Sequence, residues 1–577
     1  KEDEFDYTLD SLGTTLDYIT RSNSYFTRKR LIKDLKEKIM VEGTKEPEKK
    51  NYTSKEAYKK YLEEKEKAEQ KRKYVFNIMK KPAFDDLVEY LIDKYADLIT
   101  LEGVEEVSTR EMYEIEQQMI MLAMEETTDH CLNEKIVEDA INARKGISEE
   151  QMQAVLACCR TNERVTVVEG TAGAGKSFTM AAVKKAFIDS GYRIIGTALS
   201  WNAAAVLSAS TGIDDCTAIE GLTLDIKKAQ NQGLDYFRQK TVLIVDEAGL
   251  VGSRHMKNIL EMTRNSPHPI KVVLTGDSRQ LNPVDAGSAL EVIVHYHGTT
   301  RIDTIRRQKQ KTHRDAVKDF SFRKSGVAIN TFLQQEAIHW AKNKKEQFNM
   351  VLRDFLSYKM AYPNKRALIL ALSNNDVTEL NRRVRVAYKK MGLVYGSETL
   401  PVKVTDGKAM WETTFAIGDE IVVRANSKKT IVYETPEDKS NMDRSSWIPK
   451  KVGVFNRNSG HIVGVEESKI TPGSYDIIID MDGDVAGRMI LNTKEFEHDT
   501  KRAFPVVHNF ATTIYASQGQ TVQQVFIVDS NLMDFRLAYV GMSRHTDNVA
   551  VYLNETGLHN RMDLQRGLAK PDEIKAI

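Results

Sequence analysis

The run Gly170-Thr-Ala-Gly-Ala-Gly175-Lys176-Ser177 constrains this chain more than any other stretch. It fits Gly-x-x-x-x-Gly-Lys-Ser/Thr, a loop that wraps phosphate. An apolar β-rich run at 165–168 stands directly before it, and helical sequence follows over 178–188. The loop needs that setting. Small residues at Gly170, Thr171, Gly173 and Gly175 let backbone N–H groups close around the α and β phosphates of a nucleotide. The helix N-terminus adds the positive end of its dipole. Lys176 is placed to reach the β and γ phosphates, and the Ser177 hydroxyl to bind Mg²⁺.

A second run supports the same chemistry. Ile244-Val-Asp246-Glu247-Ala-Gly ends a hydrophobic strand with adjacent carboxylates. Asp246 is expected to share the Mg²⁺ with Ser177. Glu247, one residue on, is expected to orient and deprotonate the attacking water. ATP and Mg²⁺ are the cofactors these residues call for.

Around these motifs, short β-rich runs alternate with helical stretches: 193–198, 242–245 and 271–274, then 367–371, 525–528 and 549–553. Near-continuous apolar strands between helices mean parallel sheets covered on both faces. Two groups of them predict an α/β fold with two domains, at 146–300 and at 301–411 plus 501–577. The stretch 412–500 differs. It carries short strands at 421–424, 461–465, 474–479 and 488–491 with Gly, Asn and Asp between, a small antiparallel insertion. Within it, 426–451 reads as a long charged loop. Residues 1–145 read as helical, with a Lys/Glu-rich solvated helix or linker at 45–72 and an apolar-faced helix at 112–124 that packs on something.

Bulk properties narrow the class. At 577 residues the chain exceeds one core. No window approaches the ~18 apolar residues of a membrane span, and the acidic start lacks a signal-peptide pattern. Four cysteines without a Cys-x-x-Cys pair predict reduced packing residues in a cytoplasmic protein rather than disulfides or structural zinc. A net charge of +1 neither announces nor excludes a nucleic-acid partner.

Further motifs occur in order and carry a resemblance. They are Ser148-Glu-Glu-Gln151, Gly196-Thr-Ala-Leu-Ser200-Trp-Asn202, Gly276-Asp277-Ser-Arg-Gln280-Leu and Ile305-Arg306-Arg307-Gln308. Thr513-Ile-Tyr-Ala-Ser517-Gln518-Gly519 and Tyr539-Val-Gly-Met-Ser543-Arg544-His545 complete the set. Over about 146–560 the chain resembles superfamily 1 helicases of the 5′-to-3′ branch, the RecD-like group. Within it the chain looks most like the helicase part of TraA/TraI-type conjugative relaxases. The resemblance implies two RecA-like P-loop motor domains with an SH3-like β insertion at 412–500 and a helical N-terminal region. It implies that Gln151 reads adenine, that Gln280 senses the γ-phosphate, and that Arg307 and Arg544 reach the nucleotide from the second motor domain. It places Ser200, Asn202, Ser373, Asn374, Thr513, Ser517 and Gln518 on single-stranded DNA. Trp201 beside that track is balanced between base stacking and packing, and Phe510 reads as core. Arg457 stands where the insertion's turn usually has Gly.

The implied activity is ATP-dependent movement 5′ to 3′ on single-stranded DNA, with duplex/single-strand junctions, a relaxase domain or the conjugation machinery as partners and no membrane. The relaxase activity itself is not expected within these residues, and residues 1–145 are expected to hold no second ATP site. Two rivals stay open: an ATP-switched DNA-binding or assembly module that does not unwind, and an RNA helicase, since phosphate contacts and stacking do not identify the sugar. His295-x-His297 lies between two motifs; with no third ligand in view it reads as a loop rather than a metal site.

Overall fold

The computed structural model describes residues 2–43, 65–66, 69, 82–100, 106–126, 130–405, 410–434, 442–496, 503–529 and 533–554. Two parallel sheets and one antiparallel sheet dominate it.

The first parallel sheet runs Cys216–Ala218, Arg193–Ala198, Thr241–Asp246, Ile270–Gly276, Val165–Gly170, Thr300–Ile302. Its middle strands are apolar at nearly every position because both faces are covered. Along Thr241–Asp246, Leu243 and Val245 enter one core, and Val242 and Ile244 enter the other. Each such side chain contributes about 1.5–3 kcal/mol on leaving water. Helices Glu149–Cys159 and Lys176–Asp189 cover one face, and Ile219–Asn231, Ser253–Arg264 and Ala289–His297 the other. Helix Arg110–Ala123 packs on Ser253–Arg264 and buries Met112, Met119 and Ala123, so this core begins well before residue 146.

The second parallel sheet has the order Ile338–Ala341, His545–Asn554, Val522–Val528, Ala367–Ala371, Ala511–Thr513. Two of its strands precede the β insertion and three follow it.

The antiparallel sheet has seven strands, from the edge strand Pro449–Val454 through Ser427–Tyr433, Gly487–Asn492, Tyr475–Met481, Ser459–Glu467 and Glu420–Val423 to Val506–His508. Two expectations change here. The stretch 426–451 is not simply a charged loop: Ser427–Tyr433 pairs with Pro449–Val454, Val432 lying opposite Lys450. Val432 is fully buried while Lys450 and Lys451 sit on the sheet edge, where lysines discourage further pairing. The unit also reaches beyond 412–500. Its core takes in Val402 and Val404 from the hairpin before it, and Phe504, Val506 and Val507 after it.

At the N-terminus, helices Glu2–Ser22, Arg28–Gly43 and Pro82–Tyr95 bury Leu12, Leu31, Leu35 and Leu91 against one another. The region is not purely helical. Phe26–Thr27, Glu106–Thr109 and Leu98–Thr100 form a small antiparallel sheet of strands too short to leave a period in the sequence. The Lys/Glu-rich run at 45–72 lies, apart from residues 65, 66 and 69, outside the described residues. His295 and His297 fall in the last turn of a helix, not a loop, with His297 Nε2 3.9 Å from Glu163. Among the described residues no helix is long and apolar enough to cross a membrane.

Candidate functional site

The phosphate loop turns on two left-handed glycines, Gly173 at φ 86° and Gly175 at φ 89°. Space confirms the requirement. A Cβ on Gly173 would lie 2.6 Å from Arg307 Cβ, and one on Gly175 would lie 2.7 Å from Gln151 Nε2. Lys176 opens the helix and donates to Gly170 O at 2.6 Å. Burial lowers its pKa, against the pull of Asp277 and Asp246.

Two loop residues stand back from the cleft. Gly170 still belongs to the strand, and Thr171, fully buried, donates its hydroxyl to Asp303 Oδ1 at 2.9 Å. Gln151 also serves the loop rather than presenting an adenine-reading edge. Its carbonyl accepts from Ser148 N at 3.0 Å in a capping box, and its Nε2 donates to Ala174 O at 3.1 Å.

The strand Thr241–Asp246 delivers the acidic pair. Glu247 takes a left-handed conformation, φ 50°, which a residue with a Cβ avoids at a cost of about 1–2 kcal/mol. That turn directs its carboxyl into the cleft beside Asp246. Burial raises both pKa values; Asp246 raises Glu247 further, while Arg544 and Lys176 pull it down. The Asp246 carboxylate and Ser177 hydroxyl line one cleft and are hard oxygen donors of the kind Mg²⁺ takes.

The facing wall comes from far along the chain. Arg307 packs on Gly173 and donates to Ser543 O at 3.0 Å. Arg544 is held by Val540 O and Ser543 Oγ, each 2.9 Å away. Burial and then the neighbouring Arg307 depress the Arg544 pKa to about 9. A buried guanidinium and a half-buried one that repel each other are tolerable where a polyanion belongs. Arg306 instead donates to Gly146 O at 3.1 Å. The cleft these residues enclose has a volume of about 420 Å³.

A buried relay crosses the cleft. Tyr539 donates to Asp277 Oδ2 at 2.7 Å and accepts from Ala172 N at 2.9 Å. Gln280 Nε2 donates to the same Asp277 oxygen at 3.2 Å, and Gln518 Nε2 reaches Gln280 Oε1 at 3.5 Å. Arg536 donates to Gln280 O at 2.8 Å and pairs with Glu291 at 3.3 Å. Tyr539 and Asp277 stand inside sequence motifs that do not single them out, and nothing in the sequence marks Arg536.

The family model for the AAA domain matches residues 146–343. The probable conjugal transfer protein TraA of Sinorhizobium fredii is 29% identical over 448 residues, covering 77% of this chain and 36% of its own length. The conjugal transfer protein TraA of Agrobacterium fabrum is 29% identical over 449 residues, with the same shares. The ATP-dependent RecD2 DNA helicase of Deinococcus radiodurans is 31% identical over 176 residues, 29% of this chain and 23% of its own. The chain is related to the RecD-like helicases and to TraA. It spans 36% of the length of the TraA proteins it matches. Among solved structures, Bacteroides Pif1 bound to ssDNA aligns over 70% of this chain and 92% of that one, at 16% identity and a TM-score of 0.43.

The residues expected on nucleic acid separate into groups. Ser200, Asn202 and Gln518 line a second pocket of about 250 Å³ that adjoins Asp246 and Glu247. Ser200 caps helix Trp201–Thr211, and Asn202 accepts from Asn458 of the β insertion at 3.1 Å. Ser373 caps helix Asn374–Lys390, and Asn374 lines a separate pocket against the β hairpin. Thr513 accepts from Ala516 N at 3.1 Å. Ser517 cannot reach a strand as it stands: it is fully buried and donates to Ile514 O at 2.7 Å. Gln518 turns toward Gln280 and so also borders the nucleotide cleft. Phe510 is core. Trp201 stacks on Phe455, ring centroids 5.9 Å apart and planes 17° apart, joining the first sheet's unit to the insertion.

Proposed function

We propose that this chain is an ATP-driven motor that moves 5′ to 3′ along single-stranded DNA and opens duplex at junctions, as the helicase part of a DNA-transfer protein acting in the cytoplasm. The observation that carries the reading is the closed cleft. Lys176 and Glu247 from one sheet face Arg544, beside the second sheet, and Arg307, in the segment between the two sheets.

In the proposed reaction Ser177 and Asp246 would hold Mg²⁺, which would neutralise phosphate charge. Lys176 binds the β and γ phosphates. Glu247 takes a proton from water as the water oxygen bonds to the γ phosphorus and the bond to ADP breaks. Arg307 and Arg544 stabilise charge on the transferring group only while the cleft is closed. Losing the γ phosphate removes the anion that holds two cationic side chains against the loop, so the cleft relaxes. The relay Gln280–Gln518 lies between this event and the pocket of Ser200 and Asn202, the route by which opening shifts the grip on a strand.

The relationship to TraA and to an ATP-dependent DNA helicase supports DNA as the track. The test is steady-state ATP hydrolysis with and without a single-stranded DNA oligonucleotide, beside matched RNA and a Lys176→Ala variant. Stimulation by DNA that disappears in the variant is expected. Hydrolysis indifferent to DNA would sink the motor reading. Duplexes with a 5′ or a 3′ tail then test polarity: unwinding from 3′ tails alone would overturn the direction.

A further inference from the structure

The β insertion places a cation next to the acidic pair. Arg457 sits in the turn between strands Pro449–Val454 and Ser459–Glu467 with φ 81°, a left-handed conformation costly for a residue with a Cβ. Its backbone N–H donates to Val423 O at 2.9 Å, which fixes the turn. The neighbours clamp the turn to the first sheet's unit: Phe455 stacks on Trp201, and Asn458 donates to Asn202. The side chain therefore projects into the pocket that Ser200, Asn202, Glu247 and Gln518 share. Burial lowers its pKa, and Glu247 is the charge that opposes this.

Arg457 thus stands between two places for an anion. On one side is the Glu247 carboxylate, which also feels the charges of Asp246, Arg544 and Lys176. On the other is a groove of hydroxyl and amide groups with Arg366, donors that suit a phosphodiester, and with Asp482, which accepts from Ser459 at 2.8 Å. Movement of the guanidinium toward a phosphate in the groove lengthens its distance to Glu247 and weakens their attraction.

We propose that Arg457 is a positioning residue through which a phosphate of the bound strand controls Glu247: across the pocket they share its charge attracts the Glu247 carboxylate until a strand phosphate in that pocket draws the guanidinium away. Glu247 is then free to orient the water. The inference rests on the motor reading above, and it deepens that reading by naming how strand occupancy reaches the general base. The left-handed backbone has a role in this account, since it is what aims the side chain at the acidic pair.

The experiment compares the full chain with Arg457→Gly, which relieves the backbone, Arg457→Asn, which tolerates the same conformation, and Arg457→Lys, which keeps the charge. ATP hydrolysis is measured without DNA and across a titration of single-stranded oligothymidylate, and affinity is measured across a salt series. In the Gly and Asn variants the DNA-free rate should rise about 5-fold or more, the scale of a modest coupling energy, so that the stimulation ratio falls. The slope of log affinity against log salt should lose about 0.7, one phosphate contact on a single strand. Arg457→Lys should restore most of the restraint. General structural damage would lower the DNA-free rate, not raise it. A DNA-free rate that is unchanged or lower in both Gly and Asn variants, with wild-type hydrolysis still stimulated by DNA, overturns the proposal and leaves the motor reading intact. Absence of stimulation in the wild type overturns the motor reading, and this inference with it.

Discussion

Glu247 and Arg457 are both non-glycine residues in left-handed backbone, at φ 50° and 81°, and both side chains meet at one pocket. Strain of this kind persists where the surroundings hold it. Glu247→Gln keeps the shape of the side chain and removes the base. Hydrolysis should fall about 10²–10⁴-fold while nucleotide affinity is retained, checked by turnover beside binding of a fluorescent ATP analogue. Tyr539→Phe deletes one hydroxyl that serves Asp277 and Ala172 N across the cleft. Leaving those buried groups short of a partner should cost about 1–3 kcal/mol, read as a lower thermal midpoint. The sequence disclosed Lys176, Ser177, Asp246 and Glu247 because their positions follow from a strand, a loop and a helix adjacent in the chain. It did not disclose Tyr539 as a hinge pin of the relay. Tyr539 and Ala172 lie 367 positions apart, and only the packed fold brings them together. Ser517 differs for the opposite reason: its hydroxyl looks available in the sequence, and in the fold it is buried and donates to Ile514 O.

At the scale of elements, the central strands of both parallel sheets were legible, since burial on two faces demands unbroken apolar runs such as Thr241–Asp246. Edge strands were not. Thr300–Ile302 and Ala511–Thr513 have three residues each, too few for any period to emerge. The strand Pro449–Val454 carries lysines that in sequence look like a solvated loop and in the sheet mark an edge. The start of His545–Asn554 meets helix Lys311–Ser321 through a pair of imidazoles, His545 Nε2 and His313 Nδ1 being 2.9 Å apart. Burial, and then His313, push the His545 pKa down to about 3; burial lowers His313 as well. Both bases bind protons more readily in the unfolded chain, whose histidines titrate near ~6.5. Stability from this joint is therefore complete above pH ~6.5 and is lost as the pH falls toward 3. Thermal midpoints at constant ionic strength should drop over that interval, and less steeply in His545→Asn. An equal slope in that variant would place the sensitivity elsewhere.

Across the whole molecule, the N-terminal helices are tied to the nucleotide-binding unit at a buried carboxylate. Glu116 accepts from Ser24 at 2.9 Å and from Ser253 at 2.8 Å. Arg254 donates to Thr20 O at 2.7 Å, and Ala286 N to Arg21 O at 2.7 Å, just past the Gln280 turn. Glu116→Ala should loosen this docking, so that limited proteolysis cuts within 2–43 at protease levels that spare the wild type. Equal resistance would mean the helices are held without the carboxylate. The interrupted second sheet has a consequence for how the protein is made. Strands Ile338–Ala341 and Ala367–Ala371 are not hydrogen-bonded to each other, and the strand pair that joins them, Val522–Val528 with His545–Asn554, is encoded after the entire β insertion. At ~5–20 residues per second a ribosome takes roughly 10–40 s to supply it. During that wait a nascent chain already owns a phosphate loop and an acidic pair but lacks Arg544, so the facing wall of the cleft is completed only when the strand His545–Asn554 has been made.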